Sequence, residues 1–173
     1  MKKKIFWSML LLACFSMAYA QKTDKEKADA LKFNEYMVEV IDTVYQYGVE
    51  WGNKAVEYKE TKTFHKLSFI NRKLFEYLER KQLEVLRYKN ASDLDKLKIA
   101  LIDFLTIEKL IVQSSMVRFE YLDSQSSFEE INNEFENLKG IAQFEEEYMG
   151  KLKALQEETA KAYGYVIAPK RSN

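Results

Sequence analysis

One proline, Pro169, and five glycines are all that 173 residues offer as helix breakers. Proline removes a backbone donor and clashes with the preceding turn, and glycine loses the most entropy on ordering. Between these few positions the chain is rich in Leu, Lys, Glu, Ala and Gln, which favour helix. The expected fold is therefore all-α, built from long helices.

Apolar residues recur at three- and four-residue steps, the helical period. A first helix is expected from about Lys25 to Tyr58, with Leu31, Asn34, Val38, Ile41, Tyr45, Gly48, Gly52 and Ala55 facing inward. Gly48, Gly52 and Ala55 share a face and are small enough to admit a neighbouring helix closely. A second helix follows from about Phe64 to Tyr88, with Phe64, Leu67, Asn71, Leu74, Leu78 and Val85 inward and Thr61 or Thr63 as its cap. Ser92 opens the third, whose stripe runs Leu94, Leu97, Leu101, Phe104, Ile111, Ser115, Phe119 and Leu122. Ser127-Phe128-Glu129-Glu130 is an S-x-x-E capping box opening the fourth. Its stripe is Ile131, Phe135, Leu138, Ala142, Met149, Leu152, Leu155 and Ala162, and Gly164 is the expected stop. Short polar connections between long helices predict an up-down-up-down antiparallel four-helix bundle. It spans residues 21–165, with residues 166–173 as a flexible tail carrying Pro169. The i,i+4 pairs Glu50/Lys54, Glu76/Arg80, Glu147/Lys151 and Glu157/Lys161 are each worth only about 0.2–0.5 kcal/mol.

The first twenty residues differ in kind. Lys2, Lys3 and Lys4 precede an apolar run from Ile5 to Met17, then Ala18-Tyr19-Ala20 and Gln21. A positive start, an apolar run and a small-x-small site predict a secretory signal peptide over residues 1–20, cleaved between Ala20 and Gln21. Leu11-Leu12-Ala13-Cys14 also fits a bacterial lipobox, in which Cys14 would be lipidated and would tether the domain to a membrane. The apolar residues after Cys14 favour cleavage over lipidation, and both readings stand. The expected location is the periplasm or cell surface of a Gram-negative bacterium.

Removal of that segment changes the charge. The chain carries 27 basic and 27 acidic residues; without Lys2, Lys3 and Lys4 it has 24 against 27, a net of about −3. A mildly acidic domain without a basic cluster argues against nucleic acid and against electrostatic attachment to anionic lipid. Cys14 is the only cysteine, so the exported domain would hold no disulfide and no thiolate metal site.

Motifs that carry chemistry are missing. There is no E-x-x-H pair for a di-iron bundle and no CxxCH for haem. His65, the only histidine, has neither a marked nucleophile nor an orienting partner and is expected to be structural or solvent-facing. Glu145-Glu146-Glu147 and Asp93-x-Asp95 are the densest acidic spots; successive helical residues point about 100° apart, so these are expected on solvated faces. No catalytic residue, metal or cofactor is expected, and the chain is not expected to be an enzyme.

Three polar residues interrupt apolar stripes: Asn34, Asn71 and Glu108. Buried polar groups require partners. One reading pairs them with each other, with Arg118 or with a tyrosine hydroxyl to fix helix register. The other makes them a polar pocket for a small ligand.

The segments Phe144-Glu145-Glu146-Glu147-Tyr148, Ala160-Lys161-Ala162-Tyr163-Gly164-Tyr165 and Phe33-Asn34-Glu35-Tyr36, with the export signal, resemble a family of exported bacterial surface proteins common in Bacteroidetes-type genomes and without assigned activity. The resemblance covers most of the chain after the signal. It implies an envelope location and a helical fold and lends no catalytic residues. The leading expectation is a non-enzymatic envelope protein acting through protein contacts or self-association. A small-ligand carrier and an envelope chaperone with an exposed apolar surface are the alternatives.

Overall fold

A computed structural model describes residues 22–89 and 94–167. Four α-helices pack together, and no strand occurs among the described residues. They are α1 (Asp24–Thr61), α2 (Ser68–Arg87), α3 (Asp95–Ser114) and α4 (Phe128–Tyr163). The signal segment with Cys14, Ala18, Ala20 and Gln21 lies outside the described residues, as do Ser92, Asp93 and Pro169.

The two longest helices begin with complete capping boxes. Thr23 accepts from the Glu26 amide while Glu26 accepts from the Thr23 amide, and Ser127 and Glu130 do the same for α4. Each box satisfies two amides that have no intrahelical partner. At its far end α4 stops where expected: Gly164 adopts φ 69°, a left-handed conformation that costs glycine nothing. The end of α1 is closed by Lys62, also left-handed at φ 52°. Its ammonium compensates by donating to the Ser126 carbonyl at 2.7 Å, tying the α1–α2 turn to the α3–α4 loop.

Two expected helices are interrupted. Phe64–Leu67 is a separate 3-10 turn ahead of α2, and Thr63 makes no side-chain cap there. The third stripe breaks at Ser114 and Ser115, and Met116–Tyr121 continues as a 3-10 segment. Ser114 bonds back to the Leu110 carbonyl at 2.6 Å, a local bond that competes with the helix ladder and bends it. The tighter 3-10 winding turns Met116 and Phe119 into the core. Phe119 then meets Trp51 edge-on at 5.0 Å and Phe135 at 4.9 Å, with Phe64 at 5.9 Å. Such pairs are worth about 0.5–1.5 kcal/mol each beyond the area they bury.

The buried face of α1 is Ala30, Phe33, Asn34, Met37, Val40, Val44, Trp51 and Ala55. It lies about one residue earlier than the expected stripe through Val38, Tyr45 and Gly48, which are exposed. Phe33 and Met37 bring more apolar area to the core than Val38 and Gly48, so the helix rotates to bury them and keeps Asn34 inside. Gly48 has nothing within 4 Å of where a Cβ would stand, so it admits no neighbouring helix. In α4, Ala142 and Ala162 are exposed, and Ala160 and Tyr163 take the inward place near its end. Of the expected i,i+4 pairs, Glu147–Lys151 closes at 2.7 Å, while Lys54 turns to Glu57.

The helices are joined by specific polar pairs. Tyr36 of α1 donates to Glu84 of α2 at 3.1 Å. Gln82 of α2 donates to Thr106 of α3 at 2.7 Å, and Lys109 meets Glu79 at 3.3 Å. Tyr148 of α4 donates to the Ala100 carbonyl of α3 at 3.0 Å, and Gln156 of α4 donates to Asn34 of α1 at 2.7 Å.

Candidate functional site

The three polar residues that interrupt the stripes are buried, as their positions imply, but they do not converge. Asn34 accepts from Gln156 between α1 and α4. Asn71 donates to Glu120 at 2.6 Å and to the Met116 carbonyl at 3.4 Å, beside a cleft of about 260 Å3 edged by Arg72 and Phe75. Both asparagines pin helix register, Asn71 through its amide nitrogen alone, with its buried Oδ1 left without a partner. Arg118 is exposed and reaches Glu134 at 3.8 Å instead of a buried partner. His65 is exposed in its 3-10 turn.

Glu108 differs. Its neighbour is a second carboxyl, Glu145 of α4. Two ionised carboxylates in contact repel, and burial penalises the charged form of each, so the pair holds a proton between them. Burial pushes Glu108 up to about 8, and the charge of Glu145 and the hydrogen bond to it act in the same direction. Burial also raises Glu145, while the hydrogen bond it takes from Glu108 works the other way. The pair as a whole therefore keeps a proton to higher pH than an exposed carboxyl would.

The pair lies at the bottom of a groove of about 320 Å3 between α1 and α4. Val44, Tyr45, Gly48, Val49 and Trp51 form the α1 wall. Leu138, Ile141 and Ala142 form the α4 wall, and Leu74, Ile111 and Met116 close the floor beside the carboxyls. The volume is at the small end of the range for ligand sites, about 300–1,000 Å3. No lysine or arginine lines it.

Two atoms on this lining lack hydrogen-bond partners. Oε1 of Glu108, whose side chain is only 6% exposed, makes no bond, and neither does Nε1 of Trp51, 3% exposed. A buried polar atom without a partner costs about 1–3 kcal/mol. Both belong to residues that line the groove, and both atoms are themselves covered.

The groove exists because α1 and α4 are small or exposed where they face across it. On its walls Gly48 and Ala142 are small and exposed, and Tyr45 is 59% exposed. The helices meet on either side of the opening, at Asn34–Gln156 and at Lys59–Asn132, the latter at 2.8 Å.

Glu145 corrects an expectation: with Glu146 and Glu147 it was to lie on a solvated face, and only the latter two are exposed. Its signal is present in the sequence, three residues after Ala142 and four before Met149 on the inward stripe. Trp51 likewise falls four residues before the buried Ala55. Among the described residues no group of three or more His, Cys, Asp or Glu side chains is placed to hold a metal ion. No helix among them is long and apolar enough to cross a membrane. No protein-family model, curated protein or solved structure matches the chain, so each role assigned to a residue rests on its own surroundings.

Proposed function

We propose that this chain is an up-down-up-down antiparallel four-helix bundle with one seam held open to bind a small, largely apolar molecule. The topology is supported by the order of the interhelical pairs. Along α2 from Glu79 to Gln82, the α3 partners fall from Lys109 to Thr106. Between α1 and α4 the partners fall from Gln156 to Asn132 as α1 rises from Asn34 to Lys59. Alternating direction places α1 beside α4 and leaves their seam as the natural site of a cleft.

The observation that carries the binding reading is the Glu108–Glu145 pair under an apolar groove, with Glu108 Oε1 and Trp51 Nε1 unpartnered. A carboxyl retained in such a place costs stability, and a purely structural bundle would do better with a leucine. We place the protein outside the cytoplasm, as a carrier or sensor in the envelope of a Gram-negative bacterium. That placement is supported by the arrangement of Lys2 to Ala20 and by the resemblance to exported surface proteins.

Gly48→Trp provides the test. A side chain there meets no atom within 4 Å of its Cβ and extends along the groove. The neutral fluorophore N-phenyl-1-naphthylamine should bind saturably to the protein, with one site, and the bulky substitution should abolish that binding without loss of helicity. Equal binding by both proteins would refute the groove as the site.

A second reading, contact with a protein partner, is favoured by exposed apolar side chains on the other two helices, Leu83 and Leu86 on α2 and Ile99 and Leu110 on α3. Sedimentation over a range of concentrations tests its simplest form, self-association, and a monomer throughout would remove it.

A further inference from the structure

We propose that the groove takes a molecule with an apolar body and a single cationic nitrogen, seated against the carboxyls of Glu108 and Glu145. The inference rests on the small-molecule reading of the groove and adds the charge of the occupant. The walls supply what an alkyl or aryl body needs: Val44, Val49, Leu138 and Ile141. The floor supplies two carboxyls and no counter-ion.

The charges that face Glu108 are few and of one sign. α1 contributes the hydroxyl of Tyr45 and α4 contributes Glu145, while α2 presents Leu74 and the 3-10 segment presents Met116. With one shared proton the pair carries about one negative charge, and burial strengthens any charge it meets there because water screens it poorly. A monocation neutralises it. An ammonium has three donors and no acceptor, which matches a floor of two carboxyls with no basic side chain in the lining.

Other occupants match less well. An anion would meet a negative floor with no basic side chain to receive it. A neutral hydrocarbon would leave the pair buried and Glu108 Oε1 unbonded. Calcium or magnesium wants six or more oxygens and zinc four ligands, and beyond the two carboxyls the groove is walled chiefly by aliphatic side chains.

The proton bookkeeping gives the pH dependence. Acid protonates Glu145 as well and leaves the floor neutral, so the cation loses its partner. Alkali removes the shared proton, doubles the floor's charge and strengthens the grip. A bound cation favours the ionised pair, so binding releases part of a proton.

Three eight-carbon probes separate the possibilities: octylamine, 1-octanol and octanoate, each displacing N-phenyl-1-naphthylamine from the full-length protein. Octylamine should displace it at least about tenfold more tightly than 1-octanol, since one lost charge-assisted contact is worth that much. Its affinity should rise from about pH 5 to about pH 9, over which range the amine itself stays charged. Glu145→Gln should erase most of the amine's advantage and leave 1-octanol unchanged. Glu108→Gln should keep the advantage near about pH 6, where Glu108 is protonated in any case, and remove the gain at higher pH.

Equal displacement by amine and alcohol, preference for octanoate, failure of all three probes, or an amine advantage that survives Glu145→Gln would each overturn the inference. In all of those cases the groove reading stands if Gly48→Trp still blocks the fluorophore. Failure of the fluorophore itself to bind would overturn both.

Discussion

The seam between α2 and α3 and the seam between α1 and α4 are made from similar helices and end up opposite in character. Along the first, Leu78, Leu101 and Leu105 are fully buried, and Gln82–Thr106, Glu79–Lys109 and Lys98 to the Leu86 and Tyr88 carbonyls lace the edges. The lysine also satisfies the last carbonyls of α2. Along the second, polar latches occur toward the ends, and between them the walls carry Gly48 and Ala142 where bulky residues would close the gap. The closed seam spends its side chains on density. The open one leaves a carboxyl pair and an indole N–H incompletely bonded. A bundle needs only part of its interface closed to fold, so the rest is free for a site.

Substitutions sharpen that contrast. The largest expected effect is in the closed seam, where Leu101→Ala should cost about 2–5 kcal/mol in urea unfolding, through lost burial and the cavity left behind. Leu138→Ala, on the half-buried groove wall, should cost roughly 1 kcal/mol or less, because a cavity already stands beside it. Equal losses would mean that the two seams pack alike.

Next in size is the pH dependence of stability. In the folded protein burial beside Glu145 lets Glu108 keep its proton up to about 8, well above the ordinary 4.5 of an unburied glutamate. Between these values the folded state binds more protons than the unfolded one, so stability falls as pH rises through that window and levels off above it. At about 1.4 kcal/mol per pH unit, and with relaxation of the groove at high pH, the loss is on the order of 3 kcal/mol. Glu108→Gln should flatten the decline; chemical denaturation at a series of pH values measures it. An unchanged slope in that variant would assign the decline elsewhere.

Two glycines give the smallest effects and opposite signs. Gly48→Ala adds a methyl group in open space on an uninterrupted helix and should stabilise by about 0.5–1 kcal/mol. Gly164→Ala forces a Cβ into the left-handed region at φ 69° and should destabilise by about 1 kcal/mol. Thermal melts of both resolve the difference in sign. If Gly48→Ala were destabilising, α4 would have to approach α1 more closely than an open groove allows.

Much of the fold is legible in the sequence because its signals are local. The capping boxes at Thr23 and Ser127 and the stop at Gly164 each act within a single helical turn. The one at Thr23 lies directly behind the expected cleavage site, where the export signal masks it. Breaks inside helices are harder. Ser114 and Ser115 look like ordinary positions on a stripe, and only the bond back to the Leu110 carbonyl makes them an end. The face of α1 depends on competition between Met37 and Val38 for one core, which no single-helix pattern resolves. Half of the site is legible as well. Glu108 stands out as an acid between Phe104 and Ile111, whereas Glu145 is concealed by its neighbours Glu146 and Glu147, which make an inward residue read as part of a solvated run. Periodicity places each carboxylate on an inward face; their meeting is a tertiary fact.

The shared proton at the floor of the open seam is the most direct point of attack. Carbon-13 NMR of glutamate-labelled protein follows each side-chain carboxyl through its own titration. One carboxyl should titrate near about 8 and vanish in Glu108→Gln. If every glutamate instead titrates in the ordinary range near about 4.3, Glu108 is either open to water or paired with a cation, and the groove as described does not exist.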